Sequence, residues 1–292
     1  MVKLKFSQKL LLRYYTAQLK AMALVSPKKA AEKAFALFCT PYAGRTVKKI
    51  PDIFKKAESI IFNSQDLAIH AFRFTPQTAN GKKILILHGY SSNAYKFDRY
   101  VSPLLKTGFE VVLLDAPAHG KSEGKMINAL IYKNVILQAE NELGPFAGMM
   151  GHSLGGLAAS LAFEALPEKE DRRLALIAPA TETTTAVDNF FKMVPLDERT
   201  RNAFMQLIAD IGKVGIEYYS VSRAIKNIHS PILWIHDKQD TICPYRDVKP
   251  LLKMNFPNVN FLITEHLGHS RIYKDTSVCR KVVEFFEYGW VR

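Results

Sequence analysis

Gly151-His152-Ser153-Leu154-Gly155 sets a serine between glycines at the junction of an apolar run, Pro145 to Met150, and a helix-forming run, Leu157 to Leu166. A chain with this junction must leave a strand, turn sharply and start a helix within a few residues. Small residues two before and two after the serine allow that turn without a steric clash, and Gly151, Gly155 and Gly156 supply them. The serine then stands at the first turn of the helix, where unpaired N–H groups and the positive end of the helix dipole face outward.

The surroundings of the junction fix the class of fold. Lys83 to Leu87, Phe109 to Leu114, Phe146 to Met150, Leu174 to Ala178, Ile232 to Ile235 and Val259 to Ile263 are short, mostly continuous apolar runs, and segments of helical periodicity separate them. Strands apolar on both faces that alternate with helices belong to a parallel sheet covered on both sides. Ahead of them, Ser59 to Phe62 and Leu67 to Phe74 read as a hairpin around the turn Asn63-Ser64-Gln65-Asp66. The expectation is an α/β fold with a mostly parallel sheet of about eight strands, the hairpin at one edge.

Between Thr181 and Ala224 the alternation stops, and a helix-like stretch carrying Phe190, Phe191, Met193, Phe204, Met205, Tyr218 and Tyr219 intervenes. An insertion at the carboxyl end of such a strand reads as a cap or lid over a ligand site; the other reading is extra helices that cover the core. The organisation expected is therefore a helical extension over 1–56, a core in two parts over 57–180 and 225–292, and a cap over 181–224. At 292 residues and 48% hydrophobic content, the chain is long enough to bury roughly three-quarters of its unfolded surface in one large domain.

Charge is unevenly placed. Residues 1–56 hold thirteen Lys and Arg against Glu32 and Asp52, a net of +11, which leaves only +2 of the total +13 for the rest of the chain. At 100° per residue Leu4, Leu11, Tyr15, Leu19 and Met22 share a sector of about 80°, with Lys5, Lys9, Arg13 and Lys20 in the next 80° or so. Such a helix can lie on an anionic membrane surface, which makes peripheral contact through residues 1–25 one expectation. Packing of the same stripe on the protein's own body or on a second subunit is the other. Nucleic acid is not expected as a partner, because the charge comes without a recognised binding module.

Cys39, Cys243 and Cys279 are odd in number, far apart and without a C-x-x-C pair, which suggests neither a disulfide framework nor a thiolate metal site. Arg13 cuts the run Leu10-Leu11-Leu12 before it reaches signal-peptide length. The N-terminus reads as retained and the location as cytoplasmic, with attachment at a membrane surface as an option. No metal-ligand spacing and no phosphate-binding glycine loop is recognised, so neither a metal nor a cofactor is expected.

A serine becomes a nucleophile when an imidazole takes its proton and a carboxylate orients the imidazole. Both are available downstream. The turn His236-Asp237-Lys238-Gln239-Asp240 follows one strand, and Glu265-His266-Leu267-Gly268-His269 follows the next. Either aspartate can project from its strand's end, and the order serine, acid, histidine is that of the nucleophile-elbow fold.

Residues 57–292 resemble the α/β-hydrolase superfamily on several spaced motifs. His88-Gly89 is similar to the family's oxyanion-loop His-Gly, and Asp115-Ala116-Pro117-Ala118-His119-Gly120-Lys121-Ser122 to its D-x-P-G-H-G-x-S loop, with Ala118 in place of the usual glycine. The resemblance implies Ser153 as nucleophile, His269 in Gly-His as base, and Asp240 as the acid, with Asp237 left a turn or salt-bridge role and His266 the weaker histidine. It implies the backbone N–H groups of Tyr90 and Leu154 as the oxyanion hole. His88 and His152 are read as supporting residues around that centre, His119 likewise.

The expected function is a serine hydrolase that cleaves a carboxylic ester with a hydrophobic acyl or alcohol part, the apolar side chains of the cap being the reason for a greasy substrate. Thioesters, amides or carbon–carbon bonds are alternatives for the same triad. A catalytically idle member of the fold that binds a membrane or partner through its basic arm is the rival from another class. Sequence sets neither the oligomeric state nor the physiological substrate.

Overall fold

The computed structural model describes residues 6–42, 49–168 and 172–289. Its centre is an eight-stranded sheet of β1 (Glu58–Ser64), β2 (Leu67–Phe74), β3 (Lys83–Leu87), β4 (Glu110–Leu114), β5 (Gly148–His152), β6 (Arg173–Ile177), β7 (Ile232–Asp237) and β8 (Val259–Thr264). The spatial order is β1-β2-β4-β3-β5-β6-β7-β8. β1 and β2 pair antiparallel, β2 joins β4 antiparallel, and every other pairing is parallel.

The hairpin closes more tightly than the sequence suggests. β1 runs on through Ser64, and Gln65 and Asp66, both at positive φ (51° and 61°), form a two-residue turn. Such a turn matches the right-handed twist of the strands it joins. β5 starts two residues later than expected and runs two residues further, with Gly151 and His152 as its last residues, because Gly151 still pairs with β3 and β6 before the turn.

Period-two alternation sends the sheet's side chains into two separate cores. Leu85, Leu87, Val112, Leu114, Leu174, Leu176, Ile232 and Trp234 face one side, where α4 (Ala129–Leu143) and α5 (Leu154–Ala165) cover them. Ile84, Ile86, Val111, Leu113, Ala175, Ile177, Leu233 and Ile235 face the other, under α3 (Asp98–Lys106) and α10 (Thr276–Tyr288). Burial on both faces is why these strands read as unbroken apolar runs.

Two helices precede the sheet, α1 (Phe6–Val25) and α2 (Pro27–Cys39), and two follow β6, α6 (Thr183–Met193) and α7 (Glu198–Gly212). The one-turn helices α8 (Val221–Ala224) and α9 (Gly268–Arg271) complete the set. α2 packs on α7, and Phe35 and Phe38 meet Phe190 and Phe204 edge to face. Phe190, Phe191 and Phe204 are therefore buried core. They do not form the open apolar wall expected to favour a greasy substrate, because the N-terminal helices take up that surface.

The stripe read on α1 is also turned inward. Leu19 is fully buried, Tyr15 and Met22 are half-buried, and Leu12 joins the same core, while Leu11 is exposed and Leu4 lies outside the described residues. Among the described residues of the stripe, packing on the protein's own body accounts for all but Leu11. Among the described residues no helix is long and apolar enough to cross a membrane.

Candidate active site

Loops after β3, β5, β7 and β8 all leave the carboxyl edge of the parallel part of the sheet, where ligands of open α/β sheets bind. Ser153 stands between β5 and α5 with φ 55° and ψ −122°. A side chain is rarely held in such a conformation, and the site is where strain of this kind collects. The turn is fixed by close approach. A Cβ on Gly151 would come within 2.5 Å of the Gly155 carbonyl oxygen, and one on Gly155 within 2.5 Å of the His88 carbonyl oxygen.

His269 lies on α9, directly after Gly268, which has φ 60°. Its Nδ1 is 2.7 Å from Oδ2 of Asp240, and the Asp240 side chain is fully buried. The other carboxylate oxygen of Asp240 accepts from the amides of Ile242 (2.8 Å) and Cys243 (2.9 Å). A carboxylate with both oxygens engaged has one orientation left, and it fixes the imidazole with it.

Asp237 has a different place. Its carboxylate accepts from Gln239 N (3.0 Å), Thr264 Oγ1 (2.8 Å) and Leu267 N (3.0 Å). Burial alone would raise its pKa, but the amides of Gly268 and its neighbours and the Thr264 hydroxyl hold it below the ordinary carboxylate range. It closes the turn that delivers Gly268 and His269, and makes no ion pair among the described residues. His266 is exposed, with its amide bonded to Gln239 Oε1 at 2.6 Å.

Cys243 is the residue the sequence reading missed. Its Sγ lies 3.9 Å from Ser153 Oγ, and its side chain also bonds to His269. Among the described residues the Ser153 hydroxyl makes no hydrogen bond to His269; the thiol stands between them. Burial works to lower the pKa of His269, yet the Cys243 sulfur and the Asp240 carboxylate outweigh it and push it up to about 10. His236 was overlooked as well. Fully buried, it accepts from Trp234 Nε1 at 3.4 Å on Nδ1, so Nε2–H donates to the Cys243 carbonyl at 2.8 Å and holds the Asp240–Cys243 turn. Convergence of separate strands creates the Cys243 contacts, whereas those of His236 stay within β7 and the turn that follows it.

The loop after β3 lies directly on the serine. A Cβ on Gly89 would meet Ser153 Cβ at 2.7 Å. His88 accepts from Ala116 N on Nε2 (2.9 Å), so Nδ1–H donates to the Gly89 carbonyl (2.8 Å), and burial pushes its pKa down to about 4, keeping the ring neutral. His119 does the same one step out, accepting from Ser91 N (2.9 Å) and facing the Pro117 carbonyl (2.8 Å). Asp115 takes the amides of Ala94 and Lys121, each at 2.9 Å, which ties the two loops together. Ala118, in the family's glycine position, keeps the left-handed conformation with φ 64°.

Among the described residues neither the Tyr90 nor the Leu154 amide meets a hydrogen-bond acceptor. The Tyr90 hydroxyl donates to the Phe38 carbonyl at 3.1 Å, so its side chain reaches α2 while its backbone stays by the serine. His152 Nε2–H donates to the His269 carbonyl (3.0 Å), and its ring lies 4.7 Å from that of His269 and 4.5 Å from Tyr273. Burial and the nearby His269 hold its pKa well below the usual value, so it is neutral, with Nδ1 unpaired.

A strained serine at the tip of a central parallel strand, with a carboxylate-bound imidazole delivered from the last strand, defines the α/β-hydrolase fold. Comparison with known proteins agrees. Residues 78–213 match the family described as serine aminopeptidase, S33, a span that includes Tyr90 and Ser153 and stops before Asp240 and His269. An esterase of Pyrococcus furiosus superposes with a TM-score of 0.61 at 20% identity, over 85% of this chain and 97% of that one. The AB hydrolase superfamily protein YisY of Bacillus subtilis is 21% identical over 74% of this chain and 96% of its own. A human serine hydrolase-like protein is 31% identical over 34% of this chain and 51% of its own length. For that protein and a second human one the chain spans about half or less of the relative. The chain has the α/β-hydrolase fold, and its residues 78–213 carry the match to a serine hydrolase family of that fold.

Proposed function

We propose that this protein is a serine hydrolase that cleaves a carboxylic ester with a hydrophobic acyl or alcohol part, with Ser153, His269 and Asp240 as its triad. One observation carries the reading: the 2.7 Å contact between His269 and Asp240, made at the same edge of the sheet as the strained Ser153. Neutral His269 takes the Ser153 proton as the serine oxygen bonds to the carbonyl carbon. The Tyr90 and Leu154 N–H groups receive the oxyanion. Collapse breaks the bond to the alcohol, which leaves with the proton from His269. Water, activated by the same imidazole, then hydrolyses the acyl-serine and releases the acid.

In this state Ser153 faces the Cys243 thiol, so a rotation of its side chain to His269 precedes attack. Catalytic hydrogen bonds are often unformed until substrate is bound. Support for an apolar substrate comes from the uncharged residues around Ser153: Leu154 beside it in the chain, Cys243 at 3.9 Å, Tyr90 directly after the Gly89 that lies against the serine, and Ile242, the exposed neighbour of Cys243. Residues 181–224 serve as a cap beside this edge.

The test is labelling with a fluorophosphonate, which reacts with an activated serine, followed by a series of p-nitrophenyl esters of increasing acyl length. The full chain should label and Ser153→Ala should not, with kcat/KM rising from acetyl to longer esters. A folded chain that does not label favours the idle member of the fold, and turnover confined to acetyl esters removes the hydrophobic substrate.

A further inference from the structure

α1 has a second apolar face, and it points away from the protein. Leu10, Leu11, Tyr14, Ala17, Gln18, Ala21, Leu24 and Val25 are all exposed and fall within about 140° of arc at 100° per residue. No charge interrupts the sector. Leu10 and Tyr14 are 61% and 62% exposed, and Leu24 and Val25, at the corner where α1 turns into α2, are 84% and 89% exposed. A water-soluble surface does not keep such residues together without a use for them.

Cations border this face. Arg13 and Lys20, both exposed, run along one side of it, where a groove of about 360 Å³ separates α1 from Met193 and Pro195. Lys28 and Lys29, also exposed, follow Val25 around the corner. Among the described residues none of these four forms an ion pair. An apolar face rimmed by unpaired cations fits a surface that is greasy inside and negatively charged outside.

We propose that the outward face of α1 and the α1–α2 corner dock the protein on an anionic lipid bilayer, with α1 lying in the interface plane. Leu24, Val25, Leu10 and Tyr14 enter the region of the acyl chains, and Arg13, Lys20, Lys28 and Lys29 meet the head groups. The inward stripe stays packed on the body, so docking requires no unfolding of the extension. A second copy of the chain is the less favoured occupant. A symmetric pair would bring two N-terminal regions of +11 each against one another, and like charges across an interface oppose association.

Flotation of the full chain with vesicles tests this without reference to turnover, so its outcome is independent of the catalytic reading. Vesicles of phosphatidylcholine with about 30 mol % phosphatidylserine should carry the protein, pure phosphatidylcholine should carry much less, and about 0.5 M salt should release it. A combined Leu10→Glu, Leu24→Glu, Val25→Glu chain should bind at least about tenfold more weakly. Replacing Arg13, Lys20, Lys28 and Lys29 by Gln should cost about fivefold per cation. All seven side chains are exposed, so melting temperatures should stay within a few degrees of the parent, and circular dichroism checks the fold. Absence of flotation on anionic vesicles, or equal flotation of folded variants, overturns the proposal. So does light scattering that shows a dimer lost in the glutamate variant while vesicles bind neither form.

Discussion

The Cys243 thiol and the Ser153 hydroxyl lie 3.9 Å apart, although ninety positions separate them in the chain. The same sulfur bonds to His269 and contributes to the rise of its pKa to about 10. One residue therefore touches both partners of the proposed proton transfer and holds the imidazole in its charged form.

Replacing that sulfur should shift the pH dependence of the enzyme. A general base must be neutral, so kcat/KM rises as pH climbs through the pKa of His269. In Cys243→Val the raising influence is gone while Asp240 remains, and the rising limb should move to lower pH. Rate at pH 7 should increase about tenfold for each unit of that move. The profile of ester hydrolysis or of fluorophosphonate labelling between about pH 6 and pH 10 reads it, and an unmoved limb rules out the sulfur as the cause.

The same shift has a consequence for stability, with the opposite dependence. A histidine whose folded pKa stands at about 10, above the ordinary 6.5, stabilises the folded state fully below pH 6.5, and that contribution declines as pH rises to about 10. Melting temperature of the parent should therefore fall across this window more steeply than that of His269→Gln. Parallel curves would mean that the imidazole is not held charged in the folded protein.

Asp240 and Asp237 were both available to the sequence, and the structure divides their work. Asp240→Asn removes the charge opposite His269 and should lower kcat by about 10³ to 10⁴, the scale expected for the orienting acid of a serine triad. Asp237→Asn leaves that contact in place and weakens the three hydrogen bonds, from Gln239, Thr264 and Leu267, that tie the turn after β7 to the end of β8 and the turn before His269. It should cost about 1–3 kcal/mol of stability, with kcat reduced far less. Kinetics and denaturant unfolding of the pair separate the two roles, and equal kinetic losses would undo the assignment.

What sequence could and could not reveal follows from the range of the interactions. The central strands were legible because both faces are buried, which leaves an unbroken apolar signature in each of Lys83–Leu87, Glu110–Leu114 and Arg173–Ile177. The glycine-flanked serine was legible because its turn is a local steric demand. Cys243 was not, since its contacts arise where β5, β7 and β8 bring separate loops to one edge, and His236 was not, since its bonds depend on how the turn after β7 folds back on the strand. α1 misled for another reason: it is apolar on two faces, and a single-stripe reading finds the inward one and leaves Leu10, Tyr14, Leu24 and Val25 unassigned. Phe190 and Phe204 looked like a substrate wall because nothing in their own segment announces that Phe35 and Phe38 come to cover them.

His152 offers the last check on how the site is held. Its neutral ring donates Nε2–H to the His269 carbonyl at 3.0 Å and packs between His269 and Tyr273. It contacts His269 through that residue's carbonyl and ring face, takes no part in the Asp240–His269 hydrogen bond and supplies no proton, so it acts by positioning. His152→Phe keeps the packing and deletes one hydrogen bond of about 1 kcal/mol, leaving the buried carbonyl of His269 without that donor. Looser placement of the imidazole should then lower kcat about tenfold, with KM and the pH of the rising limb little changed. His152→Gln, whose amide can donate in place of the ring, should recover part of the rate. If the phenylalanine variant keeps full kcat, the bond to His269 plays no part in aligning the base; if its pH limb moves instead, His152 acts on the charge of His269 and not on its position.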